Sequence, residues 1–238
     1  MSKVGAILKH EFRMFWMSPI AYIVLTVFLA VVTWLFLATF FLQNNGSLNG
    51  LFSMLPLAFV FVIPALTMRL WAEEKKSGTV ELLMTKPVTE WEVVLGKYLA
   101  TALFLVVLLV LTLPLSLTIN GLAQTGIDLG VLFTSYLGAL MLGLMFLAVG
   151  NWVSSMTENQ IVAFILGVLG IFFFTIIGNI TMLFTSEWTL FLEYIGVGNH
   201  ISSLARGVID TRDLVYFASM VFFFLYMTTR TVESRKWS

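Results

Sequence analysis

The sequence predicts an all-α polytopic membrane protein with six transmembrane helices. Hydrophobic residues fill 59% of its 238 positions and charged residues only 11%, where a soluble domain carries roughly 25% charged residues. Uncharged apolar runs of about 20 residues, the length that crosses a bilayer, recur along the chain. This composition excludes a soluble enzyme, a basic nucleic-acid binder and a disordered segment. The chain contains no cysteine, so disulfides, thiolate metal sites and cysteine nucleophiles are excluded as well.

The first predicted element is an amphipathic helix over residues 3–18, lying on the cytoplasmic face of the membrane. Its apolar side is formed by Val4, Ile7, Leu8, Phe12 and Phe15, with basic residues opposite. Ser18-Pro19 then turns the chain into the bilayer. Glu11 falls within the apolar side, which leaves two interpretations. It either leans to the interface or pairs with a lysine, or it makes a buried contact that links this helix to the inner ends of the spans, because a lipid-facing carboxylate is costly.

The predicted spans cover residues 20–42, 51–70, 98–120, 131–153, 160–184 and 214–230. The first is longer than the apolar part of a signal peptide and ends in bulky residues, so we expect it to stay in the membrane. Pro56 and Pro64 predict bends in the second. The sixth is short, and Arg230 at its end is expected to reach back to the interface.

The distribution of basic residues predicts the orientation. Of the 13 lysines and arginines, 11 lie in segments on the same side of the membrane as the N-terminus, and only Arg206 and Arg212 lie on the other. Lysine and arginine are enriched in cytoplasmic loops. Both termini are therefore predicted to be cytoplasmic, in the plasma (inner) membrane.

The segment 69–97 between the second and third spans carries five basic and five acidic residues. Gly78 interrupts it, a short helix is predicted from Thr79 to Met84, and Pro87 ends that helix. Two helices in a bundle need a connection of only 2–8 residues. A solvated connector remains an alternative, but a docking surface for a cytoplasmic protein explains the length and the charges better.

A new helix is predicted to follow this segment, because Thr89 and Glu92 match the Ser/Thr-x-x-Glu capping box.

The next inner loop, residues 154–159, is very short, and its only charge, Glu158, is a candidate for a second contact. On the opposite side, residues 185–213 are too apolar for a free loop, which favours short helices at the outer leaflet. Asp210 or Thr211 is the expected N-cap of the last span.

Several kinds of chemistry are not supported by the sequence. The predicted spans contain no ionisable Asp, Glu, Lys, Arg or His, which proton- or ion-coupled transporters usually place there. His10 and His200 are expected on opposite sides of the membrane, so they do not form a metal or haem site, and His200 is predicted to be a surface residue. Gly96-Lys97 is the nearest string to a phosphate-binding loop and fails at two positions. We predict no catalytic residue, metal or cofactor on this chain.

These segments resemble the membrane permease subunits of ABC-2-type transporters. The resemblance rests on Trp71-Ala-Glu-Glu74, Gly78-Thr79-Val-Glu81-Leu-Leu, Thr85-Lys-Pro87, Glu92 and Gly96-Lys97. The opening Ser18-Pro19-Ile-Ala-Tyr22 and the string from Arg206 to Phe217 are similar to the gliding-motility-type subgroup of that family. The resemblance covers the whole chain.

The resemblance implies that residues 1–238 form a single transmembrane domain. It implies an N-terminal elbow helix, a cytoplasmic coupling helix within 69–97 and short re-entrant helices within 185–213. It also implies an exporter in which two permeases, expected to be a homodimer in the lipid bilayer, pair with two cytoplasmic ABC ATPase subunits that bind ATP and magnesium. The residues expected at the ATPase-coupling surface are Glu73, Glu74, Gly78, Thr79, Glu81, Lys86 and Pro87.

Two other functions remain as alternatives at this point. A non-transporting membrane anchor for a cytoplasmic motility or secretion machine would use the same charged segment without ATP coupling. An intramembrane enzyme acting on lipid is disfavoured, because the spans lack a Ser-His, His-Glu or paired-Asp arrangement. The Phe- and Met-rich interior suits a hydrophobic cargo, but core packing accounts for it equally well.

Overall fold

The computed structural model describes residues 3–43, 49–79, 88–122, 128–180 and 194–234, and their regular structure is helical. The helices are α1 (Lys3–Met17), α2 (Pro19–Gln43), α3 (Asn49–Thr67), α4 (Ala72–Lys76), α5 (Glu90–Leu122), α6 (Leu129–Met156), α7 (Gln160–Ile180), α8 (Val197–Ala205) and α9 (Thr211–Ser234). The predicted all-α polytopic class is confirmed.

Within the part of the chain that the structure describes, five helical stretches are long and apolar enough to cross a membrane. They run over Met54–Lys76, Glu90–Ser116, Leu129–Met156, Gln160–Gly178 and Thr211–Ser234. A sixth candidate is the pair formed by α1 and the first part of α2, which are bent by 74° relative to one another. Five or six candidate spans agree with the six predicted from the sequence.

The bend between α1 and α2 forms at Ser18 and Pro19. The Ser18 hydroxyl accepts a hydrogen bond from the Ile20 amide (3.4 Å), and Pro19 occupies the first position of α2, where its missing N–H costs nothing. The apolar side of α1 packs on α5, where Phe15 stacks on Phe104 with ring centroids 5.6 Å apart. The predicted amphipathic elbow helix is therefore present as α1.

Helix α6 is the centre of the bundle, because α3, α5, α7, α8 and α9 all pack against it. Its glycines let neighbouring helices approach closely. A Cβ added at Gly143 would lie 2.5 Å from the Leu105 Cδ2 atom of α5, and one at Gly138 would lie 2.9 Å from the Leu204 Cβ atom of α8. Small residues commonly permit such close contacts between membrane helices.

Two helices are longer than the sequence predicts, and the loops next to them are correspondingly shorter. The helix that contains the third predicted span begins at Glu90, eight residues before that span. Its start is capped as predicted: the Thr89 amide donates to Glu92 Oε2 (2.9 Å) and the Glu92 amide donates to Thr89 Oγ1 (3.3 Å). Helix α6 continues through Met156, so the loop predicted over 154–159 is reduced to residues 157–159.

The bundle has two ends, the elbow end and the far end. The elbow end holds α1, α4 and the start of α5. The far end holds α8 and the start of α9, where the Asp210 carboxylate accepts from the Arg212 amide (2.9 Å) and confirms Asp210 as the N-cap of the last helix. The short helix predicted from Thr79 lies almost entirely in residues 80–87, outside the described residues.

Candidate functional site

A buried lysine lies at the centre of the elbow end. Lys97, in the second turn of α5, is fully buried. Its Nζ atom donates to Glu74 Oε1 (2.6 Å), Glu11 Oε1 (3.0 Å) and the Leu70 carbonyl (3.0 Å). The ammonium group has three N–H donors, so each one is used. We call Glu11, Glu74 and Lys97 the charged triad.

The charged triad holds three separate segments together. Glu11 comes from α1, Glu74 from α4 and Lys97 from α5. Removing a charge from water costs several kcal/mol, which is repaid only by close oppositely charged partners and completed hydrogen bonds. The triad meets that requirement for its lysine. Movement of one of the three segments away from the others would leave buried charge without a partner.

Trp71 extends the triad toward the centre of the bundle. The Lys97 Nζ atom lies 5.3 Å from the centroid of the Trp71 ring, a cation–π contact. The Trp71 indole nitrogen donates to Asn151 Oδ1 on α6 (2.7 Å), and its backbone amide donates to Ser154 Oγ (3.2 Å). Lys75 on α4 also donates to the Ser155 carbonyl. The turn before α4 is thereby fixed to the end of the central helix.

A second ion pair ties the elbow bend to α4. Arg69 donates from Nε to Glu73 Oε2 (2.6 Å) and from Nη2 to Glu73 Oε1 (3.1 Å), the bidentate geometry that guanidinium favours. Its third nitrogen donates to Ser18 Oγ at the bend between α1 and α2. Both side chains are partly exposed, so this pair contributes little free energy. It sets the position of α4 relative to the bend.

The charged triad and the Arg69–Glu73 ion pair form walls of one cavity of about 480 Å³. Its remaining walls come from α1, the turn before α4, and the Ser77–Thr79 turn that follows it. The lining residues are His10, Glu11, Met14, Phe15, Ser18, Arg69, Leu70, Glu73, Glu74, Ser77, Thr79 and Lys97. The lining combines both signs of charge with the apolar side chains of Met14, Phe15 and Leu70. Such a surface suits contact with a mixed-charge protein surface or a lipid headgroup.

The structure places the acidic residues singled out in the sequence in different surroundings. Glu11 and Glu74 meet at Lys97, whereas Glu73 pairs with Arg69. Glu158 is exposed in the short loop between α6 and α7. Glu11 is partly buried and pairs with Lys97: pairing with a lysine belongs to one interpretation of Glu11, and a link to the inner end of a span belongs to the other.

The remaining residues of the expected coupling surface lie beyond α4. Gly78 adopts a φ of +68°, a left-handed conformation that favours glycine and turns the chain after the helix. Thr79 is exposed, and its hydroxyl lies 2.9 Å from Ser77 Oγ and 3.3 Å from the Glu74 carbonyl. Glu81, Lys86 and Pro87 lie outside the described residues.

Sequence reasoning missed Lys97, Arg69 and Trp71 as parts of this site. In the sequence, Lys97 stands out only within Gly96-Lys97, as part of a failed phosphate loop and of the strings that resemble the family, and Trp71 only within those strings. The signal that points to it is Glu11, because a carboxylate on the apolar side of an amphipathic helix requires a cation from the surface it packs against. Lys97 is the basic residue immediately before the third apolar run.

A second buried polar cluster lies at the far end. His200 on α8 and Asp213 on α9 are both buried, and their Nδ1 and Oδ1 atoms are 2.6 Å apart. The His200 Nε2 atom lies 3.0 Å from the Tyr194 carbonyl. The prediction that His200 is a surface residue is therefore wrong. It is buried because α8 folds back onto the bundle and lays its imidazole on the Tyr216 ring, with centroids 4.0 Å apart.

Comparison with known families matches nearly the whole chain. Residues 5–232 match the family model described as "ABC-2 family transporter protein". No curated protein matches the chain. The matched range begins in α1 and ends in α9, so it includes the elbow bend, the charged triad and the far-end cluster.

Proposed function

Because the chain belongs to the ABC-2 family of transporter proteins, we propose that its elbow end couples a separate cytoplasmic ATPase to movement of cargo through the bundle. The family makes this chain a multi-pass membrane permease of an ABC transporter. The proposal concerns how that permease receives energy. Nucleotide binding and hydrolysis, with ATP and magnesium, are assigned to the partner chain.

The charged triad is the observation that carries this proposal. The exposed turn at Ser77–Thr79 directly follows α4, and α4 carries Glu74 of the triad. A partner that presses on the turn would move α4, and with it the buried contact to Lys97 on α5 and Glu11 on α1. The Lys97 side chain is only 1% exposed, so the loss of a carboxylate partner is costly for it. The three segments are therefore expected to move together.

The arrangement of the complete transporter follows from the same proposal. The elbow end faces the cytoplasm, in agreement with the lysines and arginines concentrated in the segments at that end. Two copies of the permease, as a homodimer, bind two ATPase subunits, and cargo is exported. Membership of the gliding-motility-type subgroup stays a prediction from the sequence.

The docking surface is tested by adding charge at the exposed turn. Thr79→Arg is introduced there, and Val208→Arg serves as the matched control, since Val208 is exposed at the far end. We expect Thr79→Arg to abolish co-purification of the ATPase from membranes and its stimulation by the permease, while Val208→Arg preserves both. Both variants should fold, because each changes a solvent- or lipid-exposed side chain.

Two outcomes would contradict the proposal. Full co-purification and stimulation with Thr79→Arg would show that the turn is not the docking surface. An ATPase that binds normally but whose activity is independent of the permease would instead favour the non-transporting anchor.

A further inference from the structure

The far-end cluster has features that packing alone does not require. His200 and Asp213 are an acid–base pair whose side chains are both more than nine-tenths buried. Of the four side-chain atoms at which the pair can form hydrogen bonds, Asp213 Oδ2 is buried and has no partner. Buried ionic groups are costly to retain, so their presence here favours a specific role.

The hydrogen bonds imply that the pair holds a shared proton. A neutral imidazole has one N–H, but both nitrogens of His200 face acceptors, Asp213 Oδ1 at 2.6 Å and the Tyr194 carbonyl at 3.0 Å. Either His200 carries both protons, or the Asp213 carboxyl carries one and donates it to Nδ1. Either form places a hydrogen bond between His200 Nδ1 and Asp213 Oδ1, which joins α8 to the first turn of α9.

The pair joins two segments that are otherwise connected by a turn. His200 lies on α8, and Asp213 lies on α9 beyond Gly207, which has a φ of +89°. Tyr216 strengthens the same junction: its ring stacks on the imidazole, and its hydroxyl donates to the Ile195 carbonyl (2.5 Å). The segment Tyr194–Ala205 is thus held to α9 by Asp213, which contacts the edge of the imidazole ring, and by Tyr216, which stacks on its face.

No other charged group among the described residues competes for this pair. Helices α3 and α7, which pack against α8, contain no ionisable side chain in their described ranges. Helix α6 contributes Tyr136, but its hydroxyl bonds Thr112 and Ser116 on α5. Tyr194 faces the imidazole edge-on, and Asp210 bonds a backbone amide on α9. His200 and Asp213 therefore form a polar side-chain contact between α8 and α9 with each other and not with a third charged group.

We propose that the His200–Asp213 pair is a latch that holds α8 down on the far end of the bundle, and that the far end opens when this pair separates. Beneath α8, the Leu204 side chain packs on Gly138 of α6, and Ile201 and Leu204 line a small cavity together with Ser135. Lifting α8 would expose this part of α6 to water. That the opening releases cargo rests on the proposed function; the latch itself does not.

Cysteine labelling can measure the latch directly, because the chain has no native cysteine. Ser135 is 3% exposed beneath α8, and its hydroxyl has no hydrogen-bond partner, so Ser135→Cys removes no bond. The rate of reaction with a water-soluble maleimide is measured on the full chain in nanodiscs, where both faces are accessible. His200→Phe, which keeps a ring on Tyr216 but removes both nitrogens, is expected to raise this rate roughly ten- to hundredfold, the equivalent of one charged hydrogen bond.

A matched reporter separates local opening from loss of structure. Ser155→Cys places a thiol on the same helix at the elbow end, where Ser155 is fully buried. Its labelling rate should not change in His200→Phe. An unchanged rate at position 135, or equal increases at positions 135 and 155, would overturn the latch. Neither measurement requires the ATPase or cargo, so failure here would leave the proposed function untouched.

A pair of substitutions at Asp213 tests the contact from its other side. In Asp213→Asn the amide can donate to Nδ1 while His200 donates from Nε2 to Tyr194, so both hydrogen bonds are preserved. Asp213→Leu removes the bond to Nδ1. We expect the thiol of Ser135→Cys to be labelled several-fold more slowly in Asp213→Asn than in Asp213→Leu. Equal rates in the two variants would contradict a latch formed by this contact.

Discussion

Lys97 shows how one residue can determine the packing of three segments. Its ammonium group is enclosed by Glu11, Glu74 and the Leu70 carbonyl, and its side chain is only 1% exposed. Each of the two carboxylates stabilises the lysine, but without the lysine they would repel one another. The triad is therefore most sensitive to loss of its single cation.

We expect Lys97→Met to lower the free energy of unfolding by about 3 kcal/mol, the usual cost of leaving a buried charge without its partner. Thermal unfolding of the detergent-solubilised protein measures this. The triple variant Lys97→Met, Glu11→Gln, Glu74→Gln should recover much of the loss, since no net charge then remains buried. A single variant as stable as the original protein would show that water or another cation replaces Lys97.

Trp71 makes a separate prediction at the residue scale. Its indole N–H satisfies Asn151 Oδ1, and the Asn151 Nδ2 atom is already buried without a partner. Trp71→Phe would leave the whole amide of Asn151 without a partner, at a cost of about 1–3 kcal/mol. Combining it with Asn151→Leu should cost less than the sum of the two single changes, which a double-mutant cycle of unfolding measurements would reveal. Simple additivity would contradict the importance of this bond.

At the scale of elements, the elbow helix depends on close approach to α5. Gly96 precedes the triad lysine, and a Cβ at this position would lie 2.6 Å from Ile7 Cγ2 and 2.8 Å from Ile7 Cβ on α1. A side chain there would push α1 outward and separate Glu11 from Lys97. The glycine and the triad thus depend on the same spacing between two helices.

Gly96→Ala is accordingly expected to destabilise the protein by about 1–3 kcal/mol through overpacking. Ile7→Ala supplies the control, because it removes Cγ2, the nearer of the two Ile7 atoms that the new methyl group would meet; Cβ stays, so the relief is partial. In the double variant we expect a higher unfolding temperature than in Gly96→Ala alone. A double variant less stable than either single variant would show that the helices do not separate along this contact.

The elements themselves were largely predictable from sequence, because each depends on local patterns. Apolar runs identify the spans, the apolar side of residues 3–18 identifies α1, and Thr89 with Glu92 identifies the start of α5. The sites were less predictable. The partners of Lys97 are 23 and 86 positions away in sequence. His200 was mistaken for a surface residue because nothing local indicates that α8 folds back onto Tyr216.

At the scale of the whole molecule, α6 connects the two sites. Near its C-terminal end, Asn151 and Ser154 hold the turn before α4, and near its other end Gly138 contacts α8. The helix has 28 residues and is therefore about 42 Å long, at 1.5 Å per residue. The helix is a direct physical connection between the two sites, and its effect on their coupling can be measured.

If the elbow end drives the far end, nucleotide on the ATPase should change the state of the latch. In the complex of permease and ATPase, a non-hydrolysable ATP analogue is expected to change the maleimide labelling rate of Ser135→Cys several-fold. Adding Lys97→Met should remove that nucleotide response while ATPase binding persists, because the exposed turn at Thr79 remains. The Thr79→Arg variant, which lacks bound ATPase, provides the matched baseline. A nucleotide response that survives Lys97→Met would show that the signal reaches the far end by a route other than the charged triad.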